Sequence, residues 1–197
     1  MNIVKPSATL LSITPDAERL IERCGRVCYK SENKITEDSS TKFIQMIMKN
    51  GHESVLEHAV ATIHFVCDRG VSHELVRHRL ASYSQESTRY CNYKNGVVFI
   101  RPPFLDRHPK WLAFCRNAEK TYLDMLATGC TPQLARSVLP NCLKTEIIVT
   151  TNFREWRHIF KLRTSLRAHP QIREIMFIAQ SILNKECPSV FPIGDYK

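Results

Sequence analysis

The chain contains no C-x-x-C pair, and that absence takes zinc ribbons and thioredoxin-like redox motifs out of consideration. Its eight cysteines, Cys24, Cys28, Cys67, Cys91, Cys115, Cys130, Cys142 and Cys187, read instead mostly as small core residues of a reduced protein. Glycine is scarce, six in 197 residues, and the six are scattered. No glycine-rich dinucleotide fingerprint and no Gly/Ser linker can therefore be built, so one domain spanning 1–197 is expected. Internal repeats and low-complexity tracts are missing as well. No apolar run approaches the roughly 18 residues that a membrane span needs. Pro6, followed by Asp16 and Glu18, interrupts the stretch where a signal peptide would need continuous apolar sequence, so a soluble, cytoplasmic protein is the expectation.

What the chain has in excess is positive charge. Lysine plus arginine outnumber aspartate plus glutamate by 28 to 19, a formal net charge of +9. Such a balance favours a polyanion or phosphorylated small ligands as partners, and charge alone does not choose between them. The composition, 43% hydrophobic and 24% charged, is that of a globular protein, and a chain of this length can bury roughly 70% of its unfolded surface.

Hydrophobic spacing opens a helix after Thr14-Pro15-Asp16, with Ala17, Leu20, Ile21, Cys24, Val27 and Cys28 on one face, which assigns Cys24 and Cys28 to the core. A second helix is expected over Ser40 to Asn50, stopped by Asn50-Gly51. Ala59 to Cys67 reads as a strand, and Ser72 as the cap of a helix carrying Val71, Leu75, Val76 and Leu80. The hydroxyl-rich SYSQESTRYCNY that follows reads as a loop. Further strands are expected at Val97 to Arg101 and Leu143 to Thr151, and helices from Trp111 to Gly129, after Thr131-Pro132, from Asn152 and from Pro170. The class is α+β, a small antiparallel or mixed sheet packed with several helices, because regular β-α-β alternation is missing.

The densest chemistry lies at Arg77-His78-Arg79-Leu80-Ala81-Ser82-Tyr83-Ser84-Gln85-Glu86-Ser87-Thr88-Arg89. Arg77 and Arg79 at a helix end would point about 100° apart per residue and so clamp separate anionic groups; the plainer alternative is an exposed basic helix end followed by a polar loop. Gly51-His52-Glu53-Ser54-Val55-Leu56-Glu57-His58 has the composition of a zinc-protease signature without its spacing, since H-E-x-x-H needs a histidine where Leu56 stands, and no metal is expected. Cys142, after Pro140 and near Arg136, is a third candidate, but no recognisable base stands beside it.

Together these segments resemble the flavin-dependent thymidylate synthase family, whose signature is R-H-R, seven residues and a serine, here Arg77-His78-Arg79 and Ser87. GHESVLEH (51–58), SYSQESTRY (82–90), LARSVLP (134–140) and NFREWRHIFKLRT (152–164) extend the resemblance in the family's order over roughly residues 40–190. It implies a homotetramer with active sites shared between subunits, FAD as cofactor, and dUMP, 5,10-methylenetetrahydrofolate and NADPH as small-molecule substrates. The reaction implied is reductive methylation of dUMP to dTMP, with tetrahydrofolate as the other product.

Carried onto this sequence, the resemblance assigns Ser54, Arg77, His78, Arg79, Asn152, Phe153, Arg154 and His158 to FAD, with Ser54 reaching across a subunit boundary. It assigns Glu74, Arg77, Gln85, Glu86, Ser87, Thr88, Arg89, Arg136 and Arg163 to dUMP. Arg163 carries the catalytic role: beside the uracil imide, a fixed cation favours ring ionisation and pushes electron density toward the attacking carbon. Ser87 has no histidine–carboxylate partner evident from the sequence and is read as a hydrogen-bonding group. Glu74 stands where many members carry glutamine, and a carboxylate there repels a phosphate unless protonated or paired. His158 stands where some carry asparagine and can still donate a hydrogen bond. The competing classes are a basic nucleic-acid-binding protein, although no nucleic-acid module is recognisable, and a methyltransferase that uses Cys142 as nucleophile.

Overall fold

The computed structural model describes residues 1–105 and 107–193. Along the chain run β1 (Asn2–Val4), β2 (Ser7–Ile13), α1 (Ala17–Val27), α2 (Ser39–Lys49), β3 (Val60–Asp68), α3 (Arg69–Leu75) and β4 (Ala81–Gln85). Then follow β5 (Val98–Ile100), α4 (Pro109–Ala127), α5 (Pro132–Ala135), β6 (Lys144–Asn152), α6 (Phe153–Arg163) and α7 (Pro170–Glu186). The class is α+β. One sheet has the order β2-β3-β6-β4, and β1 pairs with β5 in a second, in parallel register with Ile3 opposite Phe99. The chain divides into two compact units: Met1–Ser7, Phe65–Arg77 and Tyr83–Ile148 form the first, and Ala8–His64, His78–Ser82 and Val149–Lys197 the second.

In the first unit Val97, Phe99, Cys115, Tyr122, Ala135 and Leu143 make the core, with Tyr93 and Trp111 packed against it. α4 supplies Cys115, Ala118 and Tyr122 at three- and four-residue spacing, which is why a long amphipathic helix forms there. Gly129 ends it with a φ of 91°, a left-handed turn that glycine adopts without a Cβ penalty. α3 departs from expectation. Its cap is Asp68, whose carboxylate accepts the Val71 N–H at 2.6 Å, whereas Ser72 lies inside the helix and donates to the Arg69 carbonyl. The helix ends at Leu75, and Val76 is exposed; Arg77 therefore follows the helix rather than riding on its surface.

In the second unit an aromatic stack closes the core. Phe153 and Phe191 meet edge to face at 4.9 Å, Trp156 stacks on Phe160 at 5.7 Å, and the Trp156 indole N–H donates to the Ala61 carbonyl at 3.1 Å. Thr62 on β3 and Thr150 on β6 share a hydroxyl hydrogen bond at 2.9 Å, the polar equivalent of a cross-strand packed pair. The buried stripe of α1 is Ala17, Ile21, Glu22 and Gly25, narrower than the spacing predicted. Cys28 and Val27 are exposed and Cys24 is half-buried, so the core role assigned to those cysteines is corrected: Cys28 lies past the last helical residue and Cys24 at the edge of the buried stripe. Leu80, expected on the apolar face of a helix, is 72% exposed.

The hydroxyl-rich stretch read as a loop begins instead as β4. Ala81, Tyr83 and Gln85 are half-buried and alternate with exposed Ser82 and Ser84, the period of a strand carried by polar side chains. β1 and β2 were not anticipated; the SATLLSI of β2 puts two leucines side by side and masks its alternation.

Candidate active site

Within the first unit, the segment after β4 gathers most residues assigned to the nucleotide. The Gln85 amide donates to Ser72 Oγ at 2.8 Å and to Thr145 Oγ1 at 3.2 Å. Glu86 is held by both oxygens: Tyr93 Oη donates to Oε1 at 2.8 Å and Lys144 Nζ to Oε2 at 3.2 Å. Lys144 also contacts Glu146. Burial pulls the Lys144 pKa down, but its bonds to Glu146 and Glu86 outweigh that and raise it, so the ammonium stays charged. Burial, with the Glu86 hydrogen bond, pushes the Tyr93 phenol well above its ordinary value. Glu86 is thus fully engaged inside the protein and ties its segment to β6.

Ser87 builds a turn, its carbonyl accepting the N–H groups of Tyr90 and Cys91. Thr88 is buried, and its hydroxyl accepts from Arg136 Nη1 at 3.3 Å. Arg89 donates through Nε to Gln133 at 3.2 Å and lies over the Tyr90 ring at 5.3 Å. Arg89 and Arg136, 47 positions apart in sequence order, are thereby fixed around one short turn, and among the described residues neither guanidinium has a carboxylate partner. Two exposed guanidiniums around one turn make a receptor for an anion. Glu74 on α3 is half-buried and has a partner of its own. Arg77 is exposed and donates to the His73 carbonyl, closing the end of α3.

The second unit holds the other group. Asn152 ends β6 and caps α6, its Oδ1 accepting the Glu155 N–H at 2.8 Å. Arg154 and His158, four residues apart, are both exposed on α6 and face the same way. Phe153 is fully buried against Phe191, where its ring anchors the strand-to-helix junction. Arg79 is exposed.

His78, between them, is only 6% exposed. Arg163 donates its Nε–H to His78 Nε2 at 3.1 Å. A guanidinium nitrogen can only donate, so Nε2 carries the lone pair and the ring proton sits on Nδ1. Glu155 Oε1 lies 3.4 Å from that nitrogen. The contact would be an ion pair only with a protonated ring, and the ring is neutral: burial, then Arg163, then His158 lower its pKa to about 4. Burial raises the Glu155 pKa.

His78, Glu155 and His158 bring their donor atoms within 4.8 Å of one another, close enough for a metal by distance alone. The hydrogen bonding opposes it. A metal on Nδ1 would move the ring proton to Nε2, against the Arg163 N–H, and beside a fixed cation.

A cavity of about 370 Å³ in the second unit is lined by Phe43, Ile47, Gly51, Ser54 and Arg154, among others. Arg154 pairs with Glu57 at 2.5 Å. An aromatic wall beside an arginine suits a flavin nucleotide, which offers both a planar ring and a diphosphate. Ser54 and Arg154, both assigned to FAD from the sequence, thus share one cavity. The Cys142 nucleophile finds no support: its thiol lies 3.8 Å from that of Cys115, and burial raises the pKa of both, the reverse of activation.

Sequence reasoning missed Gln133, Tyr93, Lys144 and Glu155. None belongs to the R-H-R signature; only Glu155 left a local signal, as the fourth residue of Asn-x-x-Glu, a capping-box pattern.

The fold is shared with an enzyme: a UMP/dUMP methylase, PolB from Streptomyces cacaoi, bound with 5-Br dUMP, superposes with a TM-score of 0.84 over 97% of this chain and 95% of that one, at 22% identity. The chain belongs to the family described as "Thymidylate synthase complementing protein", whose profile matches residues 9–189. Its relatives include proteins named flavin-dependent thymidylate synthase. That of Geobacter sulfurreducens is 36% identical over 92% of this chain and 84% of its own length. That of Mycobacterium avium is 37% identical over 87% and 77%.

Proposed function

We propose that this chain is a flavin-dependent thymidylate synthase that methylates dUMP to dTMP, with 5,10-methylenetetrahydrofolate as carbon donor and NADPH as reductant. The observation that carries the reading is the pair Arg89 and Arg136, held around the Ser87 turn without a carboxylate partner among the described residues. An unneutralised bidentate pair of this kind suits a nucleotide phosphate. Ser87 and Thr88 add hydroxyls to that turn, and the Glu86–Lys144 bond keeps it on β6.

FAD is the proposed cofactor, with Arg154 at the cavity of the second unit and His158 and the Asn152 amide as further contacts from α6, and with Ser54 reaching it across a subunit boundary. Arg77 and Arg79, exposed on either side of His78, are proposed to meet diphosphate oxygens. When bound, the flavin supplies the hydride that completes the new methyl group. Arg163 holds a positive charge against the uracil imide and stabilises the negative charge that develops on the ring. No nucleophilic cysteine is needed. Glu74 is proposed beside the nucleotide too, its carboxylate already engaged within the protein. A homotetramer with shared active sites and a cytoplasmic location complete the proposal. Among the described residues no helix is long and apolar enough to cross a membrane.

The test is an absorption spectrum of the purified protein followed by dUMP titration, then an assay for dTMP. Flavin bands that shift with dUMP, and dTMP formed only when NADPH and methylenetetrahydrofolate are both present, are expected. A protein that neither carries nor takes up FAD overturns the reading. UMP offered beside dUMP reports whether the 2′-position is discriminated.

A further inference from the structure

Glu155 has no part in the chemistry described above, yet it is a buried carboxylate, 8% exposed, and such groups are rarely kept without a partner. It lies in the first turn of α6, where its own N–H is taken by the Asn152 cap and where a negative charge is favoured by the helix end. Only half of a capping box forms: Asn152 accepts from Glu155, while the Glu155 carboxylate faces His78 Nδ1 at 3.4 Å. On the far side of the same ring, Nε2 accepts from Arg163 Nε at 3.1 Å.

We propose that Glu155 is a positioning residue for Arg163, acting through His78: its carboxylate, 3.4 Å from Nδ1, favours the tautomer in which that nitrogen carries the proton and Nε2 can accept, and so fixes the plane of the Arg163 guanidinium. The proposal rests on the reading of Arg163 as the group against the uracil. A neutral imidazole has one N–H and one lone pair, and an acceptor at Nδ1 decides which nitrogen holds which. Without that acceptor the ring is free to put its proton on Nε2. Two N–H groups then face each other and the guanidinium turns away. Misplacement by about an ångström can cost on the order of a hundredfold in rate. Arg163 and His158 from α6 and Glu155 itself face the ring, and burial first, then Arg163 and His158, hold it neutral at ordinary pH. His158 lies edge-on to the ring at 5.9 Å and contributes no bond in this chain of contacts.

The experiment uses the holoenzyme saturated with FAD. Histidine-labelled wild type, Glu155→Ala and Glu155→Gln are compared by 15N spectra of the His78 ring and by kcat and KM for dUMP; Arg163→Lys and the Glu155→Ala/Arg163→Lys double variant complete a cycle. The wild-type ring proton is expected on Nδ1, and in Glu155→Ala it shifts wholly or partly to Nε2. In that variant kcat falls about tenfold or more with KM little changed. Glu155→Gln, whose amide oxygen can still accept, recovers most of the loss, and Glu155→Ala costs little further in the Arg163→Lys background. An Nε2–H tautomer in the wild type overturns the proposal. So does Glu155→Ala with wild-type kcat when Arg163→Lys alone is impaired, or equal losses from Glu155→Ala in both backgrounds. Full turnover by Arg163→Lys overturns instead the reading of Arg163, while the ring spectra still report on the contact itself.

Discussion

Arg163 and His78 stand 85 positions apart in sequence and are joined side chain to side chain, the guanidinium Nε–H donating to the imidazole Nε2 at 3.1 Å. The bond places the last residue of α6 against the middle residue of the R-H-R signature, and it can form only while the ring is neutral. Replacing Arg163 with alanine removes the cation proposed to stabilise the uracil anion. Turnover to dTMP should fall on the order of a hundred- to a thousandfold, the size of effect seen when one preorganised electrostatic group is lost. The melting temperature should move little, because the residue is half-exposed at a helix end. Wild-type kcat in Arg163→Ala would remove the catalytic role.

The neutrality of His78 also shapes stability. Its folded pKa is lowered to about 4 from 6.5, so as pH falls the unfolded chain takes up this proton first. Above about 6.5 the ring is neutral in both states and costs nothing; between about 6.5 and 4 stability is lost progressively, roughly 3 kcal/mol in all, with no further loss below. Chemical denaturation of wild type and His78→Gln at pH 7.5 and 5 checks this. The wild type should lose more stability between the two than the variant, and parallel losses would count against a depressed pKa.

Much of the fold could be read because periodicity carried it. The apolar spacing of α2, α4, α6 and α7 and the β-branched runs of β3 and β6 each name their element within about two residues. β4 escaped because its alternation is written in serine, tyrosine and glutamine, where hydroxyl content outweighed the period. α3 was misplaced because two residues, Asp68 and Ser72, each suit a helix cap, and only the geometry chooses Asp68. The site was legible as a set of residues, through the R-H-R signature and its companion segments. Its wiring was not: Gln133, Tyr93 and Lys144 lie outside the signature, and the Glu155 pattern pointed to a cap rather than to His78.

Arg89 and Arg136 should act on binding more than on chemistry. Each alanine variant is expected to raise KM for dUMP by about ten- to a hundredfold, from a charge-assisted bond of roughly 1.5–3 kcal/mol, with kcat less affected. The nucleoside deoxyuridine, lacking the phosphate, should respond little to either change. A loss of kcat at unchanged KM would place these arginines elsewhere.

Tyr93 and Lys144 test the clamp on Glu86. Tyr93→Phe leaves Glu86 Oε1 without its phenol donor and should cost about 1–3 kcal/mol, a fall of several degrees in melting temperature for a chain of this size. Lys144→Met should cost more, since it removes the ammonium donor from the largely buried Glu86 Oε2. Differential scanning calorimetry reads both, and an unshifted transition in Tyr93→Phe would mean that water replaces the phenol at no cost.

Gly25 and Gly51 offer a matched pair around the cavity of the second unit. A Cβ on Gly25 would lie 2.4 Å from Cζ and 2.7 Å from Cε1 of Phe43, a buried ring that cannot step aside without moving the cavity wall it forms. Gly25→Ala is expected to cost about 1–3 kcal/mol through overpacking and to weaken FAD retention in the same variant. Gly51 has a φ of 71° and nothing within 4 Å of the added carbon, so Gly51→Ala should carry only backbone strain, about 1 kcal/mol, and leave Phe43 where it is. Flavin titration at a temperature where both variants are folded separates the two causes. If Gly25→Ala binds FAD as tightly as Gly51→Ala does, the Phe43 wall is not part of the flavin site, and the cavity serves packing alone.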